Sequence, residues 1–239
     1  MTNKPPKFPF IPPIEIVMPT ERFPPVGHCI YCGTYSTKLE LEHILPFGIA
    51  GDALLLPKAS CRTCAHITGT IEQACLRHMW WPFRAKIGAP TSKPNDRPET
   101  FTLRRVVRQP NGEFLPAGTS QVSTEEYPLS YVALKLQPPG ILEGRPPTTN
   151  LEGEIWIRCD EQDFKKYAPN DQDGFFMGPV NPTNFCRFLA KIALGYATAK
   201  IGHKNFRSLV RELIRGKSDT PNFWVGGNVD IPLPPANPA

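Results

Sequence analysis

Cys29-Ile30-Tyr31-Cys32-Gly33 and Cys61-Arg62-Thr63-Cys64 are the two stretches on which the reading of this chain turns. A Cys-x-x-Cys turn presents two thiolates to one ion, and zinc takes four such ligands in a tetrahedron. Two turns close together therefore predict one zinc on Cys29, Cys32, Cys61 and Cys64, ahead of two redox dithiols or four unrelated thiols. Gly33 supplies the left-handed backbone that such a knuckle needs. Four thiolates leave no open position for water, so this Zn2+ would be structural. Of the seven cysteines, Cys75, Cys159 and Cys186 remain, and they read as small buried hydrophobes.

Between the knuckles, residues 37–41 read as a strand, followed by Glu42-His43-Ile44-Leu45-Pro46 and then Gly48 and Gly51. This arrangement resembles the HNH endonuclease family. A zinc-bearing variant of that family places a Cys-x-x-Cys, an acidic residue with His and a nearby Pro, and a second Cys-x-x-Cys that opens a helix. The resemblance covers about residues 28–80 and implies a ββα-metal core built on a treble clef. It implies His43 as the general base of phosphodiester hydrolysis, since neutral imidazole accepts a proton near neutral pH. It makes Glu42 and His66 candidate ligands for a catalytic Mg2+ or Mn2+, hard ions that favour carboxylate oxygen. Leu56 lies nearest the slot of the family's middle Asn, and Ala65 holds that of its last His or Asn, with His66 beside it and Asp52 as a further substitute. Glu72 reads as a solvated surface residue and His28 as packing beside the first knuckle. His78 and His203 carry no motif. In Met79-Trp80-Trp81-Pro82-Phe83-Arg84, at least two of the three aromatics read as core rather than as platforms for bases.

Bulk properties narrow the partners. Net charge is +5, but it is segregated: residues 77–108 and 184–217 carry eight Lys/Arg each, while residues 119–163 carry eight carboxylates. Such segregation suggests a polyanion, most simply nucleic acid, DNA ahead of RNA. The start of the chain has no apolar signal segment, and no uncharged run approaches the roughly 18 residues of a membrane span. The expected location is the cytoplasm, where paired thiols hold metal rather than form disulfides.

Of the 29 prolines, 16 lie in residues 5–25, 138–147 and 232–238, which read as extended arms and connectors. The expected organisation is a Pro-rich arm over residues 1–25, an HNH-like zinc finger over 26–94, and a basic α/β domain with a Pro-rich tail over 95–239. The fold class is α+β: a zinc-anchored treble-clef finger, then a mixed region with two C-terminal amphipathic helices. Strands are expected over residues 101–107, 131–136 and 154–159. Over residues 184–200, Phe185, Phe188, Leu189, Ile192, Ala193 and Tyr196 recur at helical spacing, with Arg187 and Lys191 on the other side. Asn181 or Thr183 caps that helix and Gly202 ends it. A second helix over residues 204–215 would place Arg207, Arg211 and Arg215 on one exposed face, suited to phosphates. The functional expectation is a metal-dependent HNH-type nuclease. The alternatives are a non-catalytic nucleic-acid-binding zinc protein with a degenerate site, and a protein-interaction module.

Overall fold

The computed structural model describes residues 19–151, 153–176 and 178–227. Most of the expected Pro-rich arm, and the tail over residues 232–238, lie outside them. No helix among the described residues is long and apolar enough to cross a membrane.

The first half is built around one strand. β1 (Glu21–Arg22), β2 (Glu40–His43) and β3 (Leu54–Ser60) form a sheet in the order β1-β3-β2. β2 runs antiparallel to β3 with His43 opposite Leu55 and Glu42 opposite Leu56; β1 pairs with β3 in parallel. The first strand expectation is thus displaced: residues 37–41 pair only from Glu40 onward, and the strand continues through His43. β3 is almost wholly buried, as the run Leu54-Leu55-Leu56 and the small Ala59 and Ser60 allow. Its central place leaves Leu56 only 1% exposed.

Between the two strands lies the single turn α1 (Phe47–Ala50), and Cys61 then caps α2 (Arg62–Gln73). α2 widens into one π-helical stretch, Ala74–Met79, before Trp80 and Pro82 restart the chain as α3 (Trp81–Lys86). Trp80 is core: its indole N–H donates to the Val132 carbonyl at 2.8 Å, and its ring packs edge-on to Phe185 and Phe188. Trp81 and Phe83 lie half-buried against Phe101 and Tyr131.

The second half mixes strands and short helices. β4 (Thr100–Arg108), β5 (Phe114–Ser123), β6 (Ser130–Leu136), α4 (Gly140–Glu143), β7 (Gly153–Cys159), α5 (Glu161–Tyr167) and β8 (Asp173–Phe176) follow in turn. They give an antiparallel sheet, β5-β4-β8, and an antiparallel pair, β6-β7. Leu103, Val122 and Tyr127 make a small separate core.

α6 (Pro182–Ile201) confirms the expected long helix, with the Asn181 side chain accepting from the Asn184 amide at 2.9 Å and Gly202 ending it at φ +87°. Its buried face differs from the expected one. Cys186, Phe188, Ala190, Lys191, Leu194, Gly195 and Thr198 are buried, whereas Tyr196 is half exposed. The finger explains the rotation: Gly195 faces Ile44, whose side chain a Cβ there would meet at 3.4 Å. One hydrophobic cluster consequently runs from Ile30, Tyr31, Ile44 and Leu56 through Ile71 and Met79 to Phe188, Leu194, Leu213 and Ile214.

The second amphipathic helix, expected over residues 204–215, is corrected to one turn, α7 (Arg211–Ile214), followed by α8 (Pro221–Trp224). Asn205 turns the chain back at the end of α6, its side-chain amide donating to the Ile201 carbonyl at 2.6 Å and its backbone N–H to Gly202. Asn205, Phe206 and Ser208 are weak helix formers, and Phe206 and Val210 pack against the main cluster instead.

Candidate metal centre and the His43 loop

The first knuckle is a tight loop closed by a His28–Tyr35 bridge, with Gly33 at φ +79° donating to the Cys29 carbonyl at 2.8 Å. The Ile30 amide donates to Ala59 of β3 at 2.8 Å, which carries the knuckle to the end of β3 where Cys61 and Cys64 begin α2. One ligand atom from each of Cys29, Cys32, Cys61 and Cys64 lies within 4.8 Å of the others, and the Cys32 and Cys61 sulfurs are 3.7 Å apart. A tetrahedron with Zn–S bonds of about 2.3 Å has S–S edges of about 3.8 Å. The four thiols therefore fit a metal such as zinc. Burial pushes the Cys29 and Cys64 thiols above their ordinary range, so a dication is the partner that would favour their thiolates. His28 is buried against His203, ring centroids 4.3 Å apart, and packs over the knuckle as expected.

His43 ends β2 and is partly open to solvent. Its Nε2 lies 2.9 Å from Asp52 Oδ1, and its ring meets Phe47 edge-on at 5.8 Å. Asp52 reaches it because α1 folds the chain back and Gly51, at φ +58°, completes the turn. With Nε2–H donating to the carboxylate, Nδ1 is left as the proton acceptor, and the ring is oriented by its partner.

Glu42 has a different place. It is 5% exposed, and its Oε1 lies 2.8 Å from Lys191 Nζ, which also lies 2.8 Å from Glu72 Oε1. The same ammonium donates to the His43 carbonyl and lies 3.4 Å from that of Ile44. Burial alone would lower the Lys191 pKa, but Glu42 and Glu72 outweigh it and raise it. Tyr31 is fully buried nearby; burial first, then the charges of Glu42 and Glu72, holds its phenol well above the ordinary range. Its hydroxyl feels the Glu42 charge but, among the described residues, meets no acceptor in good hydrogen-bond geometry.

The expected cation ligands are therefore not assembled. Glu42 is engaged by Lys191, and His66 is exposed on α2. Among the described residues, the four cysteines are the one group of three or more potential ligands that comes together. Glu72, expected to be solvated, is a partner of Lys191. Lys191 itself was legible in the spacing: Phe188, Lys191, Leu194 or Gly195, and Thr198 recur at three- and four-residue steps.

The basic residues are spread. Arg207 is exposed ahead of α7; Arg211 opens α7 with a buried Nε that has no partner among the described residues; Arg215 pairs with Glu212 at 3.1 Å. Arg215 also lines an open groove of about 800 Å³ beside the cysteines, together with Lys38 and Arg62. Comparison with protein-family models, with curated proteins and with solved structures finds no match to this chain.

Proposed function

We propose that the chain is an HNH-type nuclease that hydrolyses phosphodiester bonds with His43 as general base and a structural zinc on the four cysteines. The observation that carries this reading is the His43–Asp52 pair, standing at a strand end between two thiol knuckles. The order of knuckle, antiparallel strand pair and helix opened by the second knuckle also supports a treble clef. In the proposed step a water oxygen forms a bond to phosphorus while its proton passes to His43. The bond to the leaving sugar oxygen breaks, and that oxygen takes a proton from solvent. Asp52 fixes the imidazole and stabilises it once charged. Glu42 and His66 do not fit the expected Mg2+ or Mn2+, since Glu42 is engaged by Lys191 and His66 is exposed on α2. Lys38, Arg62 and Arg215 would hold the phosphate backbone along the groove. DNA is the proposed substrate and the cytoplasm the proposed compartment.

The engagement of Glu42 by Lys191 favours a second reading, a nucleic-acid-binding protein that keeps the zinc fold without cleavage. The deciding experiment incubates wild type and His43→Ala with plasmid, single-stranded DNA and RNA, with and without Mg2+ or Mn2+. General-base loss should cut the rate by roughly 10²–10⁴-fold while zinc is retained. Equal rates would assign the cleavage elsewhere; binding without cleavage under every condition would establish the second reading.

A further inference from the structure

We infer that Lys191 is a positioning residue whose ammonium acts as a built-in cation, occupying an all-oxygen cage and thereby fixing the His43 end of β2. The cage walls come from three elements distant in sequence. β2 and the residue after it give Glu42 and the carbonyls of His43 and Ile44; α2 gives Glu72; α6 gives the cation. Two carboxylate oxygens lie at 2.8 Å and a third partner, the His43 carbonyl, takes a hydrogen bond, so the three ammonium protons are all used.

Carboxylates and backbone carbonyls converging on one point are the ligand set of a hard divalent ion. Here a side chain from α6 fills that point, itself only 1% exposed. Gly195, one turn along the same face, lies against Ile44, whose side chain a Cβ there would meet at 3.4 Å. The cage ties His43 through Glu72 to α2, the helix that also carries Cys61 and Cys64 at its start. His43 is then anchored twice: its carbonyl by Lys191 and its imidazole by Asp52. Catalytic importance for this anchoring rests on the hydrolysis proposed above; the cage and its cation do not.

Two variants of the full chain test the inference. Lys191→Ala leaves the buried Glu42 and the part-buried Glu72 with space between them. It should bind about one Mn2+ in addition to its zinc, seen by electron paramagnetic resonance, and Mn2+ or Ca2+ should raise its thermal midpoint, whereas wild type should show neither effect. The combination Lys191→Met, Glu42→Gln, Glu72→Gln removes every charge from the cage at similar volume, so it stays testable if Lys191→Ala does not fold. It should retain zinc and ignore Mn2+, yet lose the nuclear Overhauser contact between the His43 and Phe47 rings, a positional signal that charge alone does not move. Where wild type cleaves, this variant should cleave about 10²-fold more slowly, the usual penalty for a misplaced group. An unchanged His43–Phe47 contact in the folded neutral variant overturns the positioning role. A folded Lys191→Ala that ignores Mn2+ overturns the cation cage. Wild type without cleavage would sink the nuclease reading while the ring contact still decides this one.

Discussion

Arg84 offers a sharp test of how the His43 loop is held. It is 8% exposed, and no carboxylate among the described residues pairs with it. Its guanidinium instead donates to three backbone carbonyls: Nε to Gly48 at 2.7 Å, Nη1 to Leu76 at 3.1 Å and Nη2 to Pro90 at 3.0 Å. Arg84→Lys keeps the charge but not the fork, so its ammonium reaches one of these carbonyls well. Each hydrogen bond made by a charged group contributes about 1.5–3 kcal/mol. Two losses would thus cost about 3–6 kcal/mol. The bonds to Gly48 and Pro90 are only part-buried, and their carbonyls can regain water, so the lower end, about 3 kcal/mol, is expected. At about 2–4 °C per kcal/mol for a chain of this size, the thermal midpoint should fall by about 6–12 °C. Calorimetry with the zinc content held equal measures it. Gly48 sits in α1 between His43 and Asp52, so the loop that brings the two together should loosen as well. A fall of less than about 2 °C would show that the three carbonyls are satisfied in another way and refute the accounting.

Removal of zinc should be visible as about one equivalent per chain in elemental analysis, lost in Cys61→Ser; a folded metal-free chain with four reactive thiols would contradict the site. Alkaline stability should be limited by Lys191 and Tyr31. The Lys191 pKa is raised from 10.5 in the fold, so its contribution is complete below that value and lost as pH climbs through the folded value. Tyr31, ordinarily near 10.0, is held neutral in the fold, so the open chain ionises first and stability again falls with rising pH. Unfolding by denaturant from pH 8 to 12 should show the Tyr31 effect above about pH 10 and the Lys191 effect above about 10.5, and a flat profile there would count against the buried network. Replacing Arg207, Arg211 and Arg215 by Ala should lower the salt slope of nucleic-acid binding by about one to three units, with Arg215 contributing least because Glu212 already pairs with it. An unchanged slope would mark these arginines as a solvated surface.

What the sequence made legible was local. Strands over residues 101–107, 131–136 and 154–159 alternate β-branched, aromatic and polar residues, and each forms within two residues of its expected ends. The caps of α6 and the glycine of the first knuckle follow from side-chain and backbone chemistry at single positions. What was not legible depends on partners. β5 contains Pro116 and Gly118 and reads poorly as a strand; it exists because it lies at a sheet edge with β4 beside it. The helix over residues 204–215 had the right spacing, but Phe206 and Val210 reach the main core without it. Lys191 shares the spacing of the buried face of α6, but its charge reads as exposed because its counter-charges lie in β2 and α2, far away in sequence. Asp52 was legible only as a substitute, since the turn that brings it to His43 has no signature beyond Gly51.

The span between His43 and Lys191 has a consequence for the order of events during synthesis. The four cysteines are all available once the ribosome has passed Cys64, and metal can then hold the knuckles together. Lys191 follows His43 by 148 residues. At roughly 5–20 residues per second that separation takes roughly 7–30 s to translate. Throughout the interval the nascent finger carries Glu42 and Glu72 without their cation, and the peptide after His43 has no donor from α6. A chain interrupted before α6 would therefore have its four cysteines but lack the Lys191 anchor, leaving Asp52 and Arg84 alone to hold the His43 loop.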